Sequence, residues 1–178
     1  MDGTWNAIIW HQFGAAIAML ENALRACPDE LWRERLYTER PEESKYAEFW
    51  YAGFHALFWL DFYLSDPVEG FATPAPFTLS ELEAGMLPER VYTKEELQIY
   101  LEHGRSKCRA RLETLTEAML MDLTQIRPDW PDMTVAGLLL YNMRHVQDHA
   151  AQLNLFLGQK IGSAPRWVAK AGNMGKGS

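Results

Sequence analysis

From Phe49 to Tyr63 the chain sets Phe49, Trp50, Tyr51, Phe54, Phe58, Trp59, Phe62 and Tyr63 around one imidazole, His55. On a helix these rings fall on nearly every side, and a helix that is apolar all round must be enclosed by other elements. Ser44 stands where it can cap such a helix over about residues 45 to 64, which is expected to lie at the centre of the molecule.

Three further segments supply the enclosure. From about residue 4 to 26, Trp5, Ile8, Ile9, Phe13, Ile17 and Leu20 recur mostly three or four apart, the spacing of an amphipathic helix, which Cys27-Pro28 ends. Thr93-Lys94-Glu95-Glu96 has capping-box spacing and opens a third helix, with Leu97, Leu101, Cys108, Leu112 and Leu115 on one side, to about residue 121. A last helix is expected over about residues 133 to 157, with Gly158 as its terminator. Ser65-Asp66-Pro67 and then Pro74, Pro76 and Pro88 mark a long connection to about residue 92, in which Ser80-Glu81-Leu82-Glu83 can form one helical turn. Arg127-Pro128-Asp129-Trp130-Pro131-Asp132 forces a turn before the last helix, and no strand pattern is evident.

These elements predict an all-α fold, a four-helix bundle over residues 1 to 162 followed by a partly disordered tail over 163 to 178. The long second connection can carry the chain the length of the bundle, so helices two and three are expected to run parallel in an up-down-down-up order. Lys and Arg total 17 against 24 Asp and Glu, a net charge of −7 that repels phosphate backbones and anionic lipid, so neither nucleic acid nor membrane is an expected partner. Two cysteines, Cys27 and Cys108, are too few for a disulfide framework and read as buried free thiols in a reducing cytoplasm. Met1-Asp2-Gly3 lacks the basic start of a secretory signal, which fits a cytoplasmic location.

The last helix carries the chemical signal. Steps of three and four give Val135, Leu138, Asn142, His145, His149, Gln152 and Phe156 on one face, the seam that should meet the core. Its ends are apolar, but its middle presents four polar side chains where leucine would be ordinary. Each would cost about 1 to 3 kcal/mol if buried without a partner. Two histidines at i and i+4 can reach one cation, and His55 is the best third ligand. A metal ion satisfies the seam economically, and a buried hydrogen-bonded network is the alternative. Imidazole suits zinc, nickel, iron or copper. Asn142 and Gln152 are placed to orient the imidazoles or a substrate, and Trp59, one turn after His55, to wall the pocket or pack in the core. His103 lies among charged residues and reads as a surface group, and His11 as a half-buried structural histidine. Neither Asp61 nor Asp148 is assigned as a general base.

Two motifs carry a family resemblance: Phe54-His55-Ala56-Leu57, and His145-Val146-Gln147-Asp148-His149-Ala150-Ala151-Gln152, which is similar to an HxxxHxxQ pattern. In these, and in the gap of 90 residues between His55 and His145, the chain resembles the DinB-like superfamily, also called DinB/YfiT-like metalloenzymes, over about residues 5 to 160. The resemblance implies an up-down-down-up bundle, a divalent metal held by His55, His145 and His149, zinc or nickel before iron or another transition metal, and a homodimer. Its characterised members include thiol-dependent transferases and isomerases that use bacillithiol or mycothiol. It therefore implies a small-molecule substrate, a low-molecular-weight thiol among the candidates, and S-transfer or detoxification, with hydrolysis and non-catalytic binding or a structural dimer as alternatives. The bulky aromatic second helix and the proline-bearing loop depart from many relatives, so no relative's substrate carries over. No nucleophile elbow, phosphate-binding loop, dinucleotide fingerprint or CxxC pair is present.

Overall fold

A computed structural model of the chain describes residues 4–37, 46–65, 70–124 and 132–173. Among these the protein is mostly helical, with α1 (Trp5–Ala26), α2 (Phe49–Tyr63), α3 (Lys94–Thr114), α4 (Glu117–Met121) and α5 (Val135–Ile161). The four long helices close on one core. α1 and α2 each pack against both α3 and α5, and α1 and α2 barely touch each other. Phe13, Ile17, Leu20 and Leu24 of α1, Phe54, Phe58 and Leu60 of α2, Leu97, Tyr100, Cys108 and Leu112 of α3, and Val146, Leu153 and Leu157 of α5 are almost wholly withdrawn from solvent. Every described position of α2 except His55 is buried, as its aromatic sequence requires.

The helix ends follow side-chain chemistry. Thr4 accepts from the Ala7 amide to start α1, and Thr93 and Glu96 form a reciprocal capping box on α3. α2 begins at Phe49, later than about residue 45, and Ser44 lies outside the described residues. The reason is a neighbouring segment. Glu34 and Trp32 carbonyls accept the Phe49 and Trp50 amides at 2.9 and 3.0 Å, and Leu36 N donates to Ala47 O at 2.8 Å. The segment 32–36, which turns at Trp32 and bridges to Glu48 at Arg35, thus does the work of a cap and holds residues 47 and 48 out of the helix.

The third helix does not run through to about residue 121. It breaks at Leu115, whose backbone is extended and whose carbonyl accepts the Asn6 side chain at 2.8 Å, and Thr116 then caps the separate α4. α5 also passes Gly158 and ends at Gly162, whose φ of 69° is the left-handed conformation that glycine adopts without cost. In the extra turn Lys160 lies 3.2 Å from Glu34. A short antiparallel pair, β1 (Leu123–Thr124) with β2 (Met133–Thr134), forms where no strand was expected. The tight turn expected over residues 127 to 132 lies largely outside the described residues.

The connection from α2 to α3 does form one helical turn, a 3-10 helix over Ser80–Leu82. It is anchored by Phe77, whose ring stacks on Tyr100 at 4.3 Å and meets Tyr92 at 4.7 Å. Both cysteines are free and buried, and burial pushes both thiols up to about 12, which leaves them unreactive at neutral pH. Among the described residues no helix is long and apolar enough to cross a membrane.

Candidate metal centre

α2 and α5 pack with Phe49 against Phe156, His55 between His145 and His149, and Tyr63 against Tyr141 and His145. This register brings the three sequence-selected histidines together. Nε2 of His145 lies 3.3 Å from Nε2 of His55 and 3.2 Å from Nε2 of His149. One ligand atom from each of the three lies within 4.8 Å of the others. A zinc ion with nitrogens at about 2.0–2.1 Å in tetrahedral array would separate those nitrogens by about 3.3 Å. The donor set and its spacing therefore fit a metal ion.

The protonation states agree with that use. Burial, then the neighbouring His149 and His55, lower the His145 imidazole to about 3. Burial and His55 lower His149 to about 4, although Asp148, Gln152 and Glu81 pull the other way. Both rings are neutral at pH 7, and a neutral imidazole is the form that binds a metal.

His55 has a partner that sequence reading missed. The Glu81 carboxylate, 5% exposed, lies with Oε2 2.7 Å from His55 Nδ1. The same carboxylate accepts from Trp59 Nε1 at 2.9 Å and from the Tyr51 hydroxyl. Tyr51, His55 and Trp59 follow one another at single-turn intervals on α2, so one carboxylate satisfies a whole stripe. Burial alone would raise the Glu81 carboxyl, but the hydrogen bonds from His55, Tyr51 and Trp59 outweigh it and hold the group below the usual carboxylate range. Burial and then the Glu81 charge push the Tyr51 hydroxyl far above its ordinary value. An ionised Glu81 keeps the His55 proton on Nδ1 and turns the Nε2 lone pair toward His145. In sequence Glu81 stood out only as part of a capping-box spacing; no periodicity tied it to His55.

The remaining selected residues take different places. Trp59 meets the His55 ring edge-on at 6.3 Å while holding Glu81. Gln152 is exposed, donates to Asp148 at 2.8 Å, and lines a cavity of about 240 Å³ with Tyr51, His55, Glu81 and His149. Asn142 is wholly buried and donates to the Leu60 carbonyl of α2 at 3.1 Å. His103 is exposed, and His11 is half-buried on α1. Asp61 is fully buried but faces α3, where Tyr100, Lys107 and His103 surround it.

The family model described as the DinB superfamily matches residues 12–153, most of the chain and all three histidines. No curated protein and no solved structure matches.

Proposed function

We propose, from the premise that the chain belongs to the DinB superfamily, that His55, His145 and His149 hold one divalent metal ion and that the protein is a metal-dependent enzyme acting on a small molecule. The observation that carries this reading is the convergence of three Nε2 atoms at 3.2 and 3.3 Å, two of them on rings that are neutral at pH 7. Three imidazoles with no carboxylate ligand favour zinc or nickel, with iron or another transition metal as the alternative.

A bound ion would supply Lewis acidity, lowering the pKa of a thiol or a water at the fourth position. Everything else falls to the chain. Glu81 holds the His55 proton on Nδ1, and Trp59 and Tyr51 hold Glu81. Asn142 orients the imidazoles through the helices, by fixing α5 to the Leu60 carbonyl of α2, on the C-terminal side of His55. Gln152 and Tyr51 border the cavity beside His55 and His149 and contact the substrate there. The reaction we favour is S-transfer from a low-molecular-weight thiol to an electrophile, a detoxification chemistry. Hydrolysis is the alternative reaction.

The same reading takes the four long helices as an up-down-down-up bundle over residues 1 to 162. The pairings Phe49 with Phe156 and Tyr63 with Tyr141 support opposed directions for α2 and α5, and Leu97 beside Gly53 with Gly104 beside Leu60 support parallel α2 and α3. It places the protein in the cytoplasm as a homodimer, with neither nucleic acid nor membrane as partner.

Turnover of a panel of thiols paired with electrophiles, before and after chelation, tests the reaction. Activity that disappears with the metal and returns on reloading is the expected result. A loss of thermal stability without turnover under any condition would instead leave a structural or storage site.

A further inference from the structure

A second concavity of about 550 Å³, within the range of small-molecule sites, lies between α1 and α5 and is lined in part by His145. Its third wall is the chain after α5. Residues 163 to 173 run back along α1, where Ala171 N donates to the His11 carbonyl at 2.8 Å, Trp10 Nε1 to the Gly172 carbonyl at 2.7 Å and Gln12 Nε2 to the Ala169 carbonyl at 3.4 Å. The approach is close: a Cβ on Gly14 would sit 2.7 Å from Ala171 Cβ, so only glycine admits the strap there. These bonds fix one edge of the groove before any ligand arrives.

The strap sets Trp167 in that wall, 70% exposed. A large indole standing in a concave surface offers a stacking face that water satisfies poorly. The groove's two charged side chains are Arg144 and Asp148. Asp148 already accepts the Gln152 amide at 2.8 Å, whereas no carboxylate among the described residues pairs with Arg144. A free guanidinium fork presents parallel donors matched to a planar carboxylate. His145 also lines the groove, whereas His55 and His149 line the cavity beside Glu81.

We propose that this groove binds a small aromatic carboxylate, its acid group on Arg144 and its ring against Trp167. The site stands on the groove's own residues and holds whether or not the histidines carry metal.

The test is calorimetric titration of the full, chelator-treated chain with 2-naphthoate and with its neutral isostere 2-naphthamide. The carboxylate should bind, and the amide should bind at least about tenfold more weakly. Arg144→Gln and Trp167→Ala should each weaken 2-naphthoate by a similar factor, whereas Arg33→Gln, on an exposed pair with Glu48 elsewhere, should leave it unchanged. Equal affinity for acid and amide, an unaltered Arg144→Gln isotherm, or no binding of 2-naphthoate at millimolar concentration would each overturn the proposal. The acid and amide comparison needs no variant, so a poorly folded mutant cannot decide the outcome.

Discussion

The two helices that meet at the histidine cluster hold their ligands in different ways. On α5, His145 and His149 are placed by the helix itself, one turn apart on a rigid element, and their Nδ1 atoms are buried without a protein partner among the described residues. On α2, His55 is a single imidazole, and a carboxylate from a loop fixes its orientation and tautomer. Backbone periodicity suffices for a pair at i and i+4, whereas a lone ligand needs an outside partner to choose which nitrogen faces the metal.

The strongest attack on this contrast removes a ligand from the α5 side. His145→Ala should abolish metal binding in a competition assay against a chromophoric chelator, because His55 and His149 alone give an incomplete donor set. Binding within tenfold of the wild type would mean that the histidines are not the ligands.

Acid should act on the same side almost as strongly. His145 and His149 are lowered to about 3 and about 4 in the folded protein, whereas the unfolded chain takes up protons near 6.5. Between these limits the unfolded state binds more protons, so the stability of the metal-free protein should be full above about pH 6.5 and fall as pH drops toward 4, by on the order of a few kcal/mol. Urea melts of chelated protein across that range check it, and His145→Gln should flatten the profile. Metal occupancy should fall over the same range, since protons and metal compete for the same lone pairs.

On the α2 side, Glu81→Ala should weaken metal affinity about 10- to 100-fold without abolishing it, and Glu81→Gln should recover part of the loss by accepting from His55. An effect as large as that of His145→Ala would erase the distinction between ligand and brace. Glu81→Ala should also cost the metal-free protein about 1 to 3 kcal/mol in a denaturant melt, because Tyr51 and Trp59 lose their acceptor. The smallest effect on metal is expected from Asn142→Leu. It removes the bond to the Leu60 carbonyl and should lower stability by about 1 kcal/mol, with a shift in metal affinity well below that of Glu81→Ala.

The same division explains what the sequence could reveal. The four long helices were legible because their apolar positions repeat at helical spacing and Cys27-Pro28 and Thr93 punctuate them. The histidines on α5 were legible as a polar break in an apolar seam, and His55 as the one polar ring in an aromatic helix. Features set by contacts between distant segments were not. Glu81 depends on where Phe77 anchors a loop, the late start of α2 on carbonyls from residues 32 and 34, and the break after α3 on Asn6 of α1. Gly158 and Gly162 are both plausible terminators by residue type, and nothing in the local sequence chooses between them.

The central claim is that three imidazole nitrogens converge on one metal site. Titrating the chelated, purified chain with zinc and with nickel at neutral pH, and recording X-ray absorption of the loaded protein, tests it most directly. The account predicts one ion per chain with three histidine nitrogens at about 2.0–2.1 Å for zinc. No binding of either ion, or a first shell built from sulfur or from carboxylate oxygen alone, would contradict it.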